Sequence, residues 1–432
     1  MATINRLIWG GGISFLLTTM PLSLNATPLE EYIKGVDFSG VIRYRYDTGF
    51  ISRDKTGFAD SRGLIASKQD HRWLANFGTK VAIDDNFKAF LQVRYGPTKE
   101  DGYSGRSANT KLPLVLRQSY FEYDNQNFGI NFIGGKQQIN SIWTENYYDG
   151  LVGVGAKFNF ALTQGLNFQA FAFDSYNSDE QGGQGGDLGY VMGANGVANS
   201  SYANLPLYDY NLYGGALLGN FSSMGLKTNL WFGIIDKSLS LYALDLAYSL
   251  KFNDNTKFAL MANYLGNTLQ GDFKRTINGD NGNFVGLKAS FMVYGFDMSL
   301  GGAYYGKKDK FTLTVIEDTG DISTIGGQEM IYTDGSHLTG SKGQNTIGYA
   351  TLGYSFFGIR VGGDVVYADT KVTRNQTYDL RAGKKLELVG RLGYKVSKKL
   401  NFTAFYSHLN VNDSDGFDGS KNTTRVQMVY NF

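Results

Sequence analysis

Apolar and polar positions alternate with a period of two along most of the chain, in segments of about 10–13 residues. Successive side chains of a strand point to opposite faces, so this alternation predicts strands with one apolar and one polar side. The last ten residues set Val426, Met428, Tyr430 and Phe432 against Arg425, Gln427, Val429 and Asn431. Residues 384–396 set Leu386, Leu388, Gly390, Leu392, Tyr394 and Val396 against Glu387, Arg391 and Lys395. Residues 36–47 set Phe38, Ile42, Tyr44 and Tyr46 against Asp37, Ser39, Arg43, Arg45 and Asp47. The same reading predicts eighteen strands: 36–47, 72–83, 87–96, 113–124, 128–138, 150–160, 165–176, 210–221, 226–236, 240–252, 256–267, 283–293, 296–307, 344–356, 359–370, 384–396, 399–410 and 423–432.

Connections alternate in length. Short polar turns, rich in Asn and Asp that tolerate a left-handed backbone, stand at 84–86, 125–127, 253–255 and 397–398. Long connections fall between them, at 48–71, 97–112, 139–149, 177–209, 268–282, 308–343, 371–383 and 411–422; only 237–239 is short in a long-loop slot. Short turns on one side and long loops on the other describe an all-β transmembrane antiparallel barrel, with periplasmic turns and extracellular loops. An even strand number puts both ends on the short-turn side. Tyr46, Tyr95, Tyr123, Tyr264, Tyr367, Tyr406 and Tyr430 recur at strand ends, as interfacial girdles would require. A soluble all-β fold would alternate too, but would need no aromatic ends. A barrel of 14 or 16 strands is the alternative if one hairpin is split too many; any of these sizes leaves a water-filled channel.

Composition agrees. The chain has 56 Gly and 5 Pro in 432 residues, with 15% aromatics, which suits long paired strands because Pro cannot donate to a ladder. Mean hydropathy is −0.25, too low for a helical membrane protein but compatible with strands that show lipid only alternate residues. Cysteine is absent, so thiol chemistry and Cys-type zinc sites are excluded. A net charge of +2 argues against nucleic acid as a partner. Residues 1–26 carry one charge, Arg6, then an apolar run too short to span a bilayer, and end in Leu24-Asn25-Ala26. They read as a cleaved signal peptide, leaving 27–432 as one barrel domain; a buried N-terminal strand or helix is the other reading.

Parity places Arg43, Arg45, Arg94, Arg360, Arg391 and Arg425 on the lumen side as pore-lining residues. Closure sets the last strand beside the first, so several arginines share one arc of the wall; Asp364 and Glu387 share strands with Arg360 and Arg391, and pairing with nearby Asp and Glu is a structural reading compatible with lining the pore. The long loops carry acids, among them Glu145, Asp149, Asp174, Asp179, Glu180, Asp187, Glu317, Asp318 and Asp321. An inward loop would set carboxylates opposite the arginines and create a transverse field that selects ions. Converging carboxylates would also suit calcium, although no EF-hand spacing is present. His71, His337 and His408 form no catalytic constellation, and the Gly-rich 182–189 lacks the strand–turn–helix setting of a phosphate loop, so no enzyme is expected.

The mature chain resembles the Campylobacter major outer membrane protein (MOMP) porins. The resemblance lies in TPLEEYIKGVDFSGVIRYRYDTG (27–49), SKQDHR (67–72), DDNFKAF (84–90), GKQQINSIWTENYYDGLVGVGAK (135–157), SLGGAYYGKKDK (299–310), VIEDTGD (315–321) and GKKLELVGRLGYKVSKKLNFTAFYS (383–407). It implies a homotrimer of eighteen-stranded barrels in the Gram-negative outer membrane, in contact with its lipid and lipopolysaccharide. It implies general, cation-preferring diffusion of ions and small solutes. It implies a calcium ion near the constriction, with Asp149, Asp187 and Glu317 as ligands. The family pattern is interrupted by a short insertion near Asp187 and is weak over 177–209 and the middle of 308–343. A surface adhesin whose loops bind host molecules is the alternative from another class, and a substrate-specific channel is a third.

Overall fold

A computed structural model describes residues 36–53, 69–95, 101–103, 114–148, 150–177, 210–277, 279–313, 315–316, 320–328, 341–371, 383–412 and 419–432. In these, eighteen long strands form one closed antiparallel sheet. They are β1 (Val36–Arg53), β2 (Gln69–Ala82), β3 (Phe87–Tyr95), β5 (Leu114–Asn125), β6 (Ile130–Gln138), β7 (Val152–Thr163), β8 (Leu166–Asn177), β9 (Leu212–Phe221), β10 (Leu226–Ile235), β11 (Leu239–Asn253), β12 (Thr256–Leu269), β14 (Asn283–Val293), β15 (Phe296–Thr312), β16 (Ser341–Phe356), β17 (Ile359–Lys371), β18 (Gly383–Lys395), β19 (Leu400–Asn412) and β20 (Gly419–Asn431). Two short pieces, β4 (Asp101–Tyr103) and β13 (Asp280–Asn281), pair at the long-loop end with β2 and β15. The seam is β1 against β20, in register from Val41↔Asn431 to Arg53↔Gly419. Closure removes the unpaired edges that lipid could not satisfy.

One face of each strand carries large apolar side chains that stay exposed, such as Leu300, Leu352 and Leu392, and these mark the lipid-facing wall. The opposite face holds the charged and buried residues. The alternation in β1, β18 and β20 falls as the sequence predicts: Phe38, Leu388 and Val426 are exposed, while Arg43, Glu387 and Val429 are buried.

The short turns have local causes. Asp84 Oδ1 accepts the N–H groups of Asn86 and Phe87 at 2.8 and 2.7 Å. Asn253 Oδ1 accepts that of Asn255 at 2.9 Å, and Ser397 Oγ those of Lys399 and Leu400 at 3.1 Å. Tyr294-Gly295 and Phe357-Gly358 are two-residue turns with φ of 45° and 86°, and 46° and 80°, the left-handed pair that matches strand twist.

Candidate functional site in the barrel lumen

Two connections on the long-loop side fold into the barrel. The first comprises the described residues of 139–151 between β6 and β7, and the second those of 313–328 after β15. Their apolar residues are buried: Ile139, Ile142, Trp143 and Leu151 in the first, Leu313, Val315, Ile316 and Ile322 in the second. They pack on an apolar stretch of the inner wall that includes Phe173, Trp231, Leu241, Phe284, Tyr305 and Val366. Burying this surface stabilises the inward fold at roughly 25 cal/mol per Å2 removed from water.

The two segments also bond to each other. Ile316 N–H donates to the carbonyl of Trp143 at 2.6 Å, and Asp321 N–H to that of Ile142 at 3.0 Å. Asn146 Nδ2 donates to Asp321 Oδ2 at 3.0 Å. The far ends grip opposite walls. The carbonyl of Gly150 accepts from Arg117 Nη2 at 2.6 Å on β5, and the carbonyl of Tyr148 accepts from Asn76 Nδ2 at 3.0 Å on β2. On the other side, Tyr349 of β16 donates its hydroxyl to the carbonyl of Thr324 at 2.8 Å. Gln328 N–H meets both carboxylate oxygens of Glu387 at 3.1 Å, and Arg391 Nη1 donates to Gln328 Oε1 at 3.0 Å. The pair therefore bridges the lumen from β2–β5 to β16–β18.

The space left to water is marked by inward side chains that keep some exposure. Registers Arg391↔Phe405, Phe405↔Arg425 and Arg425↔Asp47 put Arg391, Phe405, Arg425 and Asp47 on one row across β18, β19, β20 and β1. Arg425 Nε donates to Asp47 Oδ1 at 2.6 Å, and its guanidinium lies 5.4 Å from the Phe405 ring centre. Arg391 Nε donates to Asp364 Oδ2 at 2.6 Å. On the next row Arg45 Nε donates to Gln427 Oε1 at 3.0 Å. Three of the inward arginines, Arg391, Arg425 and Arg360, are paired with aspartates. Arg360 is one of these, bound to Asp297 through two guanidinium nitrogens, but it sits at the short-turn end of β17, away from the row. Arg43 and Arg94 face inward yet are 2% and 1% exposed, and each donates to Tyr148, Arg43 to its hydroxyl and Arg94 to its carbonyl. They line the packed wall beneath the loop, not the open channel.

An acidic pole faces this arc. Asp245 on β11 accepts from Asn229 Nδ2 at 3.0 Å and Asn263 Nδ2 at 2.7 Å. Asp321 stands near enough to feel its charge; crowding by protein, with that repulsion, pushes the Asp321 carboxyl up, while the Asn146 bond pulls it down. Sequence reasoning singled out Asp321 but missed Asp245, Trp143 and Tyr148. The available signal was the apolar content of 139–151 and 313–328, unusual for loops in water. The proposed calcium ligands Asp149, Asp187 and Glu317 lie outside the described residues, as does the loop 177–209. Among the described residues no three His, Cys, Asp or Glu side chains converge.

The barrel is similar to outer-membrane channels of known structure. Acinetobacter baumannii OccAB4 is 14% identical, with 92% of this chain and 98% of that one covered and a TM-score of 0.64. Pseudomonas aeruginosa OccK9 (OpdG) is 11% identical, with 93% and 100% covered and a TM-score of 0.67. Pseudomonas aeruginosa OpdK, solved with vanillate, is 11% identical, with 92% and 99% covered and a TM-score of 0.60. At these identities the likeness is one of fold. No curated protein matches the chain in sequence. The model of the Campylobacter major outer membrane protein matches residues 14–432, and the chain belongs to that family of outer-membrane porins.

Proposed function

We propose that this porin is a general diffusion pore, passing ions and small hydrophilic solutes with a preference for cations. The observation that carries the reading is the unequal pairing at the bridge. Arg391 and Arg425 are neutralised by Asp364 and Asp47. Asp245 and Asp321, among the described residues, accept only from the neutral amides of Asn229, Asn263 and Asn146. The carboxylates of Asp245 and Asp321 at the bridge favour cations, against Lys227 beside Asp245 and Arg45 on the wall. In planar bilayers the purified protein should conduct in discrete steps, with a cation-favouring reversal potential in a salt gradient. A silent membrane from a folded barrel would overturn the reading, and saturable flux of one solute would replace it with a solute-selective channel.

Acidity should weaken the preference. A carboxyl pushed up in the fold holds its proton to a higher pH than in the unfolded chain. It therefore detracts from stability at neutral pH, and that cost is relieved as pH falls through the raised value. The same protonation removes a negative charge from the pore. The permeability ratio, followed over a pH series, should fall toward unity on acidification, and less so in Asp321→Asn.

The family resemblance supports a trimer and a calcium ion held by Asp149, Asp187 and Glu317. Calcium takes carboxylate and carbonyl oxygens, and the backbone on both sides of Glu317, at Ile316 and Asp321, is tied to Trp143 and Ile142. A cation there would clamp the two inward segments together and stabilise the fold by binding only the native state. Purified protein should contain calcium, and Asp149→Asn with Glu317→Gln should lower both its content and the melting temperature. Unchanged content would remove these residues from the site.

A further inference from the structure

The inner wall from β10 to β14 carries lysines on the short-turn side of the acidic pole. Asn229, Asp245 and Asn263 share one row, through the registers Asn229↔Asp245 and Asp245↔Asn263. The next row toward the short turns runs Lys227↔Ala247, Ala247↔Met261 and Met261↔Lys288. Lys227 and Lys288 therefore stand two residues from the acidic row, roughly 7 Å along the strand, and Lys257 on β12 stands six residues away, roughly 20 Å. All three face the lumen by parity with neighbours that touch the inward segments. Trp231 meets Trp143, Asn263 accepts from Ser323, and a Cβ at Gly286 would run into Thr324. Lys227 and Lys257 are exposed and Lys288 is half-buried, and among the described residues none of the three forms an ion pair.

The rest of this half of the lumen is close to balance. Lys80 pairs with Glu122 at 2.5 Å, Lys88 with Asp124 at 3.3 Å, Lys251 with Asp254 at 2.6 Å, and Arg360 with Asp297. Lys157 adds a positive charge near Glu122, and the inward Asp37 and Lys395 near the mouth are one of each sign. We propose that Lys227, Lys257 and Lys288 make the pore electrically polar along its axis, so that it passes more current in one direction than in the other. The inference rests on the pore reading above and adds a direction to it.

The cause is the order of the charges. Carboxylates at Asp245 and Asp321 gather cations at the bridge, and the lysines gather anions between the bridge and the short turns. A voltage that drives cations from the bridge toward the short turns also drives anions from the lysines toward the bridge. Both kinds of carrier then collect where the two regions meet, and conductance rises. The opposite voltage empties that border, and conductance falls. A fixed charge is felt over about 10 Å at 0.1 M salt but only about 3 Å at 1 M, so the effect belongs to dilute salt.

The test is the current through single channels of the full chain at equal and opposite voltages, with the same potassium chloride solution in both baths. Reading one channel at a time makes mixed orientations harmless, since a reversed channel only mirrors the curve. In dilute salt the two currents of the wild-type protein should differ about twofold, and in strong salt they should become equal. Changing Lys227, Lys257 and Lys288 together to Gln should make the currents equal in dilute salt, and each single change should remove part of the difference. The same three positions changed to Arg should keep it, which a merely structural role for the lysines would not require. Heat-modifiable migration on gels checks that each barrel is folded. Equal currents from the wild-type protein in dilute salt, or a difference that survives the triple Gln variant or is lost in the triple Arg variant, overturns the proposal while leaving the pore reading intact. A silent wild-type protein overturns both.

Discussion

Trp143→Ala should destabilise the barrel by about 3–5 kcal/mol, the cost of a large buried aromatic deleted from a close-packed site, and should raise single-channel conductance. Trp143 is fully buried although it belongs to a connection between strands. Its indole meets Trp231 edge-on with ring centres 5.9 Å apart. On the wall, Gly233 leaves it room: a Cβ there would stand 3.0 Å from the indole ring. The carbonyl of the same residue takes the Ile316 N–H, so the side chain that anchors the first inward segment also fixes where the second one bonds. Removing the indole opens a cavity at the junction of both segments and the wall. The segments then lose the contact that keeps them within the lumen, and the aperture widens. Urea unfolding of the refolded protein, read by loss of the heat-modifiable form, gives the stability change. A variant with unchanged midpoint and unchanged conductance would mean that 139–151 is not held by this contact. Gly233→Ala probes the same junction from the wall side, and should narrow the effect to a small shift because the ring need only give by a few tenths of an ångström.

How much of this was legible in the sequence depends on what period-two alternation reports. It reports which face a residue is on, and every one of the eighteen predicted segments is a strand. Ends were less legible. Strand β1 runs to Arg53, not to 47, β15 to Thr312, not to 307, and β16 begins at Ser341, not at 344. These extensions lie at the long-loop ends of the strands, where backbone pairing continues past the alternating stretch. Parity is also silent on what covers an inward residue. Arg43 and Arg45 carry the same signal, yet Arg43 is buried and Arg45 keeps some exposure. Phe173, Trp231 and Phe284 read as exceptions to a polar lumen, but they form the bed on which the inward segments lie. The arginine row, in contrast, follows from closure: once β20 pairs β1, Arg425 must stand beside Asp47. Asp245 was overlooked because a lone acid on an otherwise apolar inward face, between Ala243 and Ala247, makes no motif by itself.

Glu387→Ala should have the other large effect, about 3–5 kcal/mol, because it strands buried partners instead of merely deleting a contact. Glu387 is fully buried on the inner face of β18. Its Oε1 accepts from Ser407 Oγ at 2.6 Å, and both its oxygens face the Gln328 N–H at 3.1 Å. Gly327, at φ of 95°, turns the chain into this contact; a Cβ there would stand 2.9 Å from the carboxylate, so the close approach needs glycine. Arg391 completes the clamp from the same strand, donating Nη2 to the Gly327 carbonyl at 3.2 Å. Without the carboxylate, the buried Ser407 hydroxyl and the Gln328 N–H lose their acceptor together, and the second inward segment is freed at its β18 end. Conductance should then rise and fluctuate, since a segment held at one end samples more than one position. Glu387→Gln separates charge from shape. Its single carbonyl oxygen can serve Ser407 or Gln328 but not both as well as a carboxylate does, so its loss should be smaller, about half. Equal losses in the two variants would mean that the negative charge, and not the two acceptor oxygens, holds the bridge in place. Stability unchanged in Glu387→Ala would mean that the bridge is carried by the apolar packing around Trp143 alone.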